Sequence, residues 1–379
     1  MKTRISTKRK LIFSFVTCTL ALGCLNGVAW LLLPKSSVFW DNPLMMMYPV
    51  DTFDPAVTGD QLFRNDDPRR RVRYVPDQHR WFRLDPEPTI PASGKLILHF
   101  GDSSTWGWGL ADQQSAYPGV LARLLDQPVH SVNLGVPGYT SLQGRRYLET
   151  LLPKVHDRVV AVTIYFGNND ATSNLAPDAT RLNRSTNSFF RWVRGLALGR
   201  AIAEICNRLP QDEAEQPRVS ADEYAENLRQ MVDLVRSYGI AVVLIMPPVN
   251  RMWPPVHLYP RPIKGWRPLA DRVSNRWTLR KLDYAKSAYE RGKELLEQQS
   301  DKCASAFAAA IEHDWVLPRI KAAWQQRLRE ITAELAVPLV ELPEVFIGAE
   351  FPYTFEDYCH PSARVHEQIA QEIATTLVR

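Results

Sequence analysis

Two short runs hold the residue types from which a nucleophile can be made. Ser103 and Ser104 follow Gly101-Asp102 at the end of an apolar run, and Asp357 stands three residues before His360. A serine hydroxyl is a weak nucleophile until a base takes its proton, and histidine does this when a carboxylate holds its imidazole. An Asp and a His three apart on one turn can face the same side. Two further runs, Gly135-Val136-Pro137-Gly138 and Gly167-Asn168-Asn169-Asp170, offer tight turns and amide side chains. Each run alone has a plain reading as a turn, a positive-φ glycine or a surface histidine.

Their placement argues otherwise. From Lys95 onward, apolar runs alternate with helical stretches, the pattern of βα units on a parallel sheet. Strands are expected at 96–100, 129–134, 159–166, 240–246 and 337–342, several of them apolar throughout, as strands covered on both faces must be. The first three end in GDSS, GVPG and GNND. In open α/β sheets ligands bind beyond the carboxyl ends of the strands, so these loops should converge on one crevice, with Asp357 and His360 delivered just before a last helix. A helix behind a Ser220–Glu223 capping box places Tyr224, Leu228, Met231 and Val235 on one face before Gly239 stops it. Insertions at about 171–219 and 250–315 interrupt the alternation. Within the second, residues 282–314 resemble a single tetratricopeptide-like hairpin, a cap or a docking element for a protein partner, since one unit cannot form a solenoid.

In this order GDSS, GVPG, GNND and Asp357-Tyr358-Cys359-His360 resemble the four blocks of the SGNH (GDSL-like) hydrolase family, over roughly 95–170 and 337–379. The resemblance implies Ser103 as nucleophile, His360 as general base and Asp357 as its orienting carboxylate. It also implies an oxyanion hole from the backbone N–H groups of Ser103 and Gly138 and the side-chain amide of Asn169. Family spacing selects Ser103 over Ser104 and Asn169 over Asn168. Asp102 is expected to bond backbone around the nucleophile turn, and His366 to be structural. Trp106 and Trp108 either line a pocket or pack beneath the loop. The expected fold is a three-layer α/β/α, flavodoxin-like sandwich with a central parallel sheet, over 94–379. The expected reaction is hydrolysis of O-acyl esters, acetyl first among them, through an acyl-enzyme, on an envelope or secreted glycan, with lipid esters behind. An O-acyltransferase using the same triad and an inactive envelope scaffold are the alternatives.

Composition limits the rest. The chain has 379 residues and a net charge of +5, but Lys2, Arg4, Lys8, Arg9 and Lys10 crowd the first ten positions. Beyond a short run at Arg69–Arg71 no basic cluster remains, so no nucleic-acid partner is expected. Residues 11–33 carry no charge and would rise about 35 Å as a helix, enough to cross about 30 Å of hydrocarbon. With 1–10 as a basic cytoplasmic tail, this predicts a single-pass anchor in the inner membrane and a catalytic domain in the periplasm or beyond. A cleaved signal peptide ending near Gly27-Val28-Ala29 is the alternative, although the apolar stretch exceeds a usual signal core. Residues 34–93 read as an irregular linker or layer. Cys206, Cys303 and Cys359 match no zinc spacing, and no phosphate-cradling glycine motif occurs, so neither metal nor cofactor is expected.

Overall fold

The computed structural model describes residues 7–32, 72–75, 80–83, 90–179, 216–255, 276–342 and 355–378, save a few positions within these stretches. Helix α1 (Thr7–Leu32) comes first, then a hairpin of β1 (Val72–Val75) and β2 (Arg80–Arg83). Strand β3 (Lys95–Gly101) leads through the short α2 (Ser103–Trp106) to α3 (Tyr117–Leu124), and β4 (Val129–Gly135) leads to α4 (Ser141–Val155). Next are β5 (Val159–Tyr165), the short β6 (Ser173–Asn174) and β7 (Gln216–Pro217), α5 (Ala221–Ser237) and β8 (Ala241–Ile245). The chain continues with α6 (Arg276–Glu297), α7 (Cys303–His313), α8 (Ala322–Glu334), β9 (Leu339–Val340) and α9 (Ala363–Val378).

Five strands form one parallel sheet in the order β4-β3-β5-β8-β9. Counted along the chain this is order 2-1-3-4-5, the doubly wound arrangement, with its switch point between β3 and β5. Alternate residues of each strand enter opposite cores. Leu96, Leu98 and Phe100 pack with Leu148 of α4, Leu228 and Met231 of α5, and Leu328 of α8. Ile97 turns the other way, toward Leu121 of α3 and Ile369 and Ile373 of α9. Helices thus cover both faces, giving the three expected layers. Truncating one such buried leucine to alanine costs about 2–5 kcal/mol.

The register sets where the site lies. Gly101 at the end of β3 is opposite both Gly135 of β4 and Tyr165 of β5, so the three strands finish level. Inside the sheet, buried His99 bonds Thr163 Oγ1 through Nδ1 and Ser131 Oγ through Nε2, both at 2.8 Å. Burial lowers its pKa to about 3, so it stays neutral and ties three strands by side chains.

Helix α5 has the expected capping box, with Ser220 Oγ accepting from Glu223 N at 3.2 Å, and ends before Gly239 at φ 70°. Helices α6 and α7 form the predicted hairpin. A Cβ on Gly292 would meet the Phe307 ring at 2.8 Å, so the glycine permits the two helices to close. This hairpin docks on its own chain, through a 2.9 Å hydrogen bond from the Tyr289 hydroxyl to the Met252 carbonyl.

Other expectations fare differently. Where an irregular layer was expected, Val72–Val75 pairs with Arg80–Arg83 in antiparallel register. The rest of residues 33–89, the middle of the first insertion with Cys206, and 256–275 of the second insertion lie outside the described residues. Helix α1 forms where the anchor was predicted, but its described side chains run only from Phe13 to Val28. Among the described residues no helix is long and apolar enough to cross a membrane.

Candidate active site

The nucleophile turn follows from local geometry. At Gly101 an added Cβ would lie 1.9 Å from Thr105 Oγ1 and 2.8 Å from the Tyr165 carbonyl, so only glycine lets the chain turn sharply out of β3. Asp102 then caps α2, its Oδ1 accepting the Ser104 N–H at 2.8 Å. The single-turn helix stops at Gly107, whose φ of 94° lets its N–H return to the Ser103 carbonyl at 3.0 Å. This places Ser103 at the tip, directly beyond the sheet.

The second half comes from the turn before α9. Asp357 Oδ1 accepts the N–H groups of Cys359 and His360, each at 2.9 Å, which winds the turn around the carboxylate. Oδ2 is left to bond His360 Nδ1 at 2.6 Å, and His360 Nε2 meets Ser103 Oγ at 2.7 Å. A carboxylate only accepts, so Nδ1 carries the proton and Nε2 is the base facing the serine hydroxyl. His360 is fully buried, whereas the Asp357 side chain retains 21 % exposure. Burial alone would raise the Asp357 carboxyl. The attraction of His360 and the hydrogen bonds from His360 and Cys359 outweigh it and hold the pKa below its ordinary value. The arrangement can take a proton from Ser103 and stabilise the imidazolium so formed.

The expected oxyanion donors are less uniform. Gly138 has φ 83°, and neither its N–H nor that of Ser103 bonds to an acceptor among the described residues. Two backbone donors are therefore open beside the nucleophile turn. Asn169 is engaged: its Nδ2 donates to Asp102 Oδ2 at 3.2 Å and to the Tyr139 carbonyl at 3.1 Å. The amide thus braces the nucleophile loop against the glycine loop.

The profile of the GDSL-like Lipase/Acylhydrolase family matches residues 99–368, which span every one of these groups. The chain belongs to that family. It is also 29% identical over 161 residues to the isoamyl acetate-hydrolyzing esterase 1 homolog of Rattus norvegicus, and 28% identical to that of Mus musculus. Each match covers 40% of this chain and 47% of the relative, so the chain spans about half the length of these curated relatives. Among solved structures, a catalytic mutant of an acetylxylan esterase from Geobacillus stearothermophilus is similar at 13% identity and a TM-score of 0.39, covering 76% of this chain and 96% of that one. A lipase/acylhydrolase from Enterococcus faecalis is similar at 17% identity and a TM-score of 0.37, covering 75% and 95%.

Within this GDSL-like chain the paired candidates separate. Ser103 holds the relay to His360, while Ser104 caps into Asp102 through its N–H. Asn169 faces the nucleophile loop, whereas Asn168 Oδ1 accepts the Ile320 N–H at 3.0 Å and ties down the chain between the second insertion and α8. His366 is structural, its Nδ1 accepting the Tyr117 N–H at 3.1 Å. Trp108 is buried with its ring 5.9 Å from that of His360, while Trp106 remains half-buried beside it.

Several residues escaped sequence reasoning. Asn250 donates from Nδ2 to the Asp357 carbonyl at 2.6 Å, and Arg319, paired with Asp314 at 2.8 Å, donates to the carbonyls of Asn250 and Trp253. Asp170 accepts the Ser141 N–H and hydroxyl and locks GNND to the start of α4. Burial pushes its pKa up to about 7 and that of Asp102 up to about 6, against the hydrogen bonds each receives. Asp357, Cys359 and His360 also bring three potential metal-ligand atoms within 4.8 Å of one another. Metal ligands near 2.0–2.3 Å in tetrahedral geometry stand about 3.3 Å apart or more, so the 2.6 Å Asp357–His360 contact fits a hydrogen bond and does not fit a shared ion.

Proposed function

We propose that this chain is a serine esterase that removes short acyl groups, acetyl foremost, from hydroxyls of a glycan outside the cytoplasmic membrane. The observation that carries the chemistry is the continuous relay from Asp357 through His360 to Ser103, with contacts of 2.6 and 2.7 Å. Ser103 Oγ attacks the ester carbonyl as His360 Nε2 takes its proton. The carbonyl oxygen, now negative, is received by the Ser103 and Gly138 N–H groups and by Asn169. Each such donor contributes about 3 kcal/mol to the transition state. Collapse expels the alcohol, which takes the proton from His360, and leaves acyl-Ser103. Water, deprotonated by the same imidazole, then releases the acid and restores the hydroxyl.

Two observations support the substrate and location. Trp106 and Trp253 are half-buried close to the site, Trp253 lying 6.3 Å from Tyr358, whose ring is 5.9 Å from that of His360. Flat indole faces suit the apolar faces of sugar rings. In α1 the side chains of Phe13, Phe15, Leu20, Leu22 and Leu25 are exposed, and the Thr17 and Thr19 hydroxyls return to the Phe13 and Phe15 carbonyls at 2.8 Å. Apolar residues outward and hydroxyls satisfied within the helix are what a lipid environment requires.

Acetate release from an O-acetylated polysaccharide, compared with turnover of a long-chain ester, tests this reading. Preferential acetate release supports it, and a strong preference for the long chain sinks the glycan assignment. Acylated product formed from an added glycan acceptor would instead establish transfer by the same triad.

A further inference from the structure

The first insertion leaves the sheet after GNND and returns ahead of α5, and its two ends are fastened together. Strands β6 and β7 pair antiparallel, Arg218 N donates to the Thr172 carbonyl at 2.8 Å, and Asp178 N donates to the Arg218 carbonyl at 2.7 Å. At this neck lies a buried ion pair. The Arg218 guanidinium bonds both Asp178 oxygens, Nε to Oδ1 at 3.2 Å and Nη2 to Oδ2 at 2.8 Å, with the two side chains 1% and 0% exposed.

A buried charge pair of this kind adds little net stability, because desolvation offsets the attraction. What the guanidinium does with its remaining donors is more informative. Nη1 donates to the Gly138 carbonyl at 2.8 Å, and Nη2 also reaches Gln143 Oε1 at 3.1 Å. Asp178 Oδ2 in turn accepts the Thr140 hydroxyl at 3.0 Å. Arg218 therefore grips the loop carrying Gly138, while its own backbone, with that of Val219, is bonded to Thr172 and Asp170 beside Asn169. One residue joins the two loops that supply the Gly138 N–H and the Asn169 amide.

We infer that Arg218, held by Asp178, is a positioning residue that sets the spacing of the oxyanion donors. The inference rests on the ester-hydrolysis reading, not on the glycan or membrane assignments. Donors must lie where the oxyanion forms, so a loosened Gly138 loop weakens the transition state more than the bound ester. Lysine keeps a positive charge opposite Asp178 but cannot bond Asp178 through two nitrogens while reaching Gly138 and Gln143.

The test uses the full-length chain in detergent, a short chromogenic ester and a serine-directed phosphonate. Variants are Arg218→Lys and the double change Arg218→Met with Asp178→Leu, which removes both charges so that neither is stranded. Expected for both are a fall in kcat of at least about tenfold, KM within about twofold of the parent, slower phosphonylation of Ser103, and unchanged midpoints in the pH–rate profile. A folded variant that keeps the parental kcat, or loses efficiency through KM alone, overturns the inference. Should the double variant not fold, the lysine variant decides. A folded parent inert to both ester and phosphonate would instead defeat the hydrolase reading itself.

Discussion

Ser103 and Ser104 differ by one position and by everything that surrounds their hydroxyls. Only Ser103 meets His360 Nε2, so Ser103→Ala and His360→Ala should each lower kcat by about three to six orders of magnitude, and Ser104→Ala by less than about tenfold. Ester turnover and phosphonate labelling read this directly. Asn169 poses a finer question, since its amide already serves Asp102 and Tyr139. If the amide is shared with the oxyanion, Asn169→Ala lowers kcat about 10²–10³-fold with KM nearly unchanged. A loss under threefold would make it a brace alone. The sequence announced these residues because three motifs fell at the ends of predicted strands and the fourth just before the last predicted helix. It was silent on Arg218, Asn250 and Arg319, lone polar residues that bond groups distant in the chain: Asp178 for Arg218, the Asp357 carbonyl for Asn250, and the Asn250 and Trp253 carbonyls for Arg319.

Elements meet backbone to backbone where β4 ends against α2. A Cβ at Gly135 would lie 2.4 Å from the Trp106 N and 2.9 Å from the Asp102 carbonyl, and neither backbone atom can yield without moving the nucleophile turn. Gly135→Ala should therefore abolish most ester turnover and lower Tm. Gly239→Ala is the contrast: φ is 70° but the space is open, so the cost is about 1 kcal/mol and turnover survives. The sheet strands and α5 were legible because apolar runs and a capping box act within ten to twenty residues. The hairpin of β1 and β2 was not, since Val-Arg-Tyr-Val and Arg-Trp-Phe-Arg are short and arginine-rich. The β6–β7 neck was not either, because two-residue strands have no period to detect and pair only once the intervening chain has closed a loop.

For the molecule as a whole, buried ionisable groups set opposing pH dependences. His99 and His366 are held at about 3 by burial, with repulsion from His360 adding to the effect on His366. Unfolding lets each take up a proton between pH 3 and 6.5, so the stability they permit is lost as pH falls through that window. Asp102 and Asp170, raised to about 6 and about 7, work the other way: the fold keeps protons the unfolded chain would release, and stability declines as pH rises from about 4 to 7. His366→Asn retains an acceptor near the Nδ1 position for the Tyr117 N–H and removes one proton uptake. Its Tm should fall less than the parent's between pH 6.5 and 4 in differential scanning calorimetry. Parallel curves would refute the assignment.

The fastened neck of the first insertion has an evolutionary consequence. Because Asp178 and Arg218 are bonded through both backbone and side chains, the chain departs and re-enters at one spot whatever lies between. Lengthening a loop costs only a slowly growing closure entropy, about 0.6 kcal/mol per doubling. The described ends on either side of residues 180–215 are fastened, so exchanging that stretch is expected to leave the serine in place. Replacing them by a short glycine–serine turn should leave turnover of a small ester within about threefold of the parent, while acetate release from an O-acetylated polysaccharide reports whether that stretch takes part in recognition.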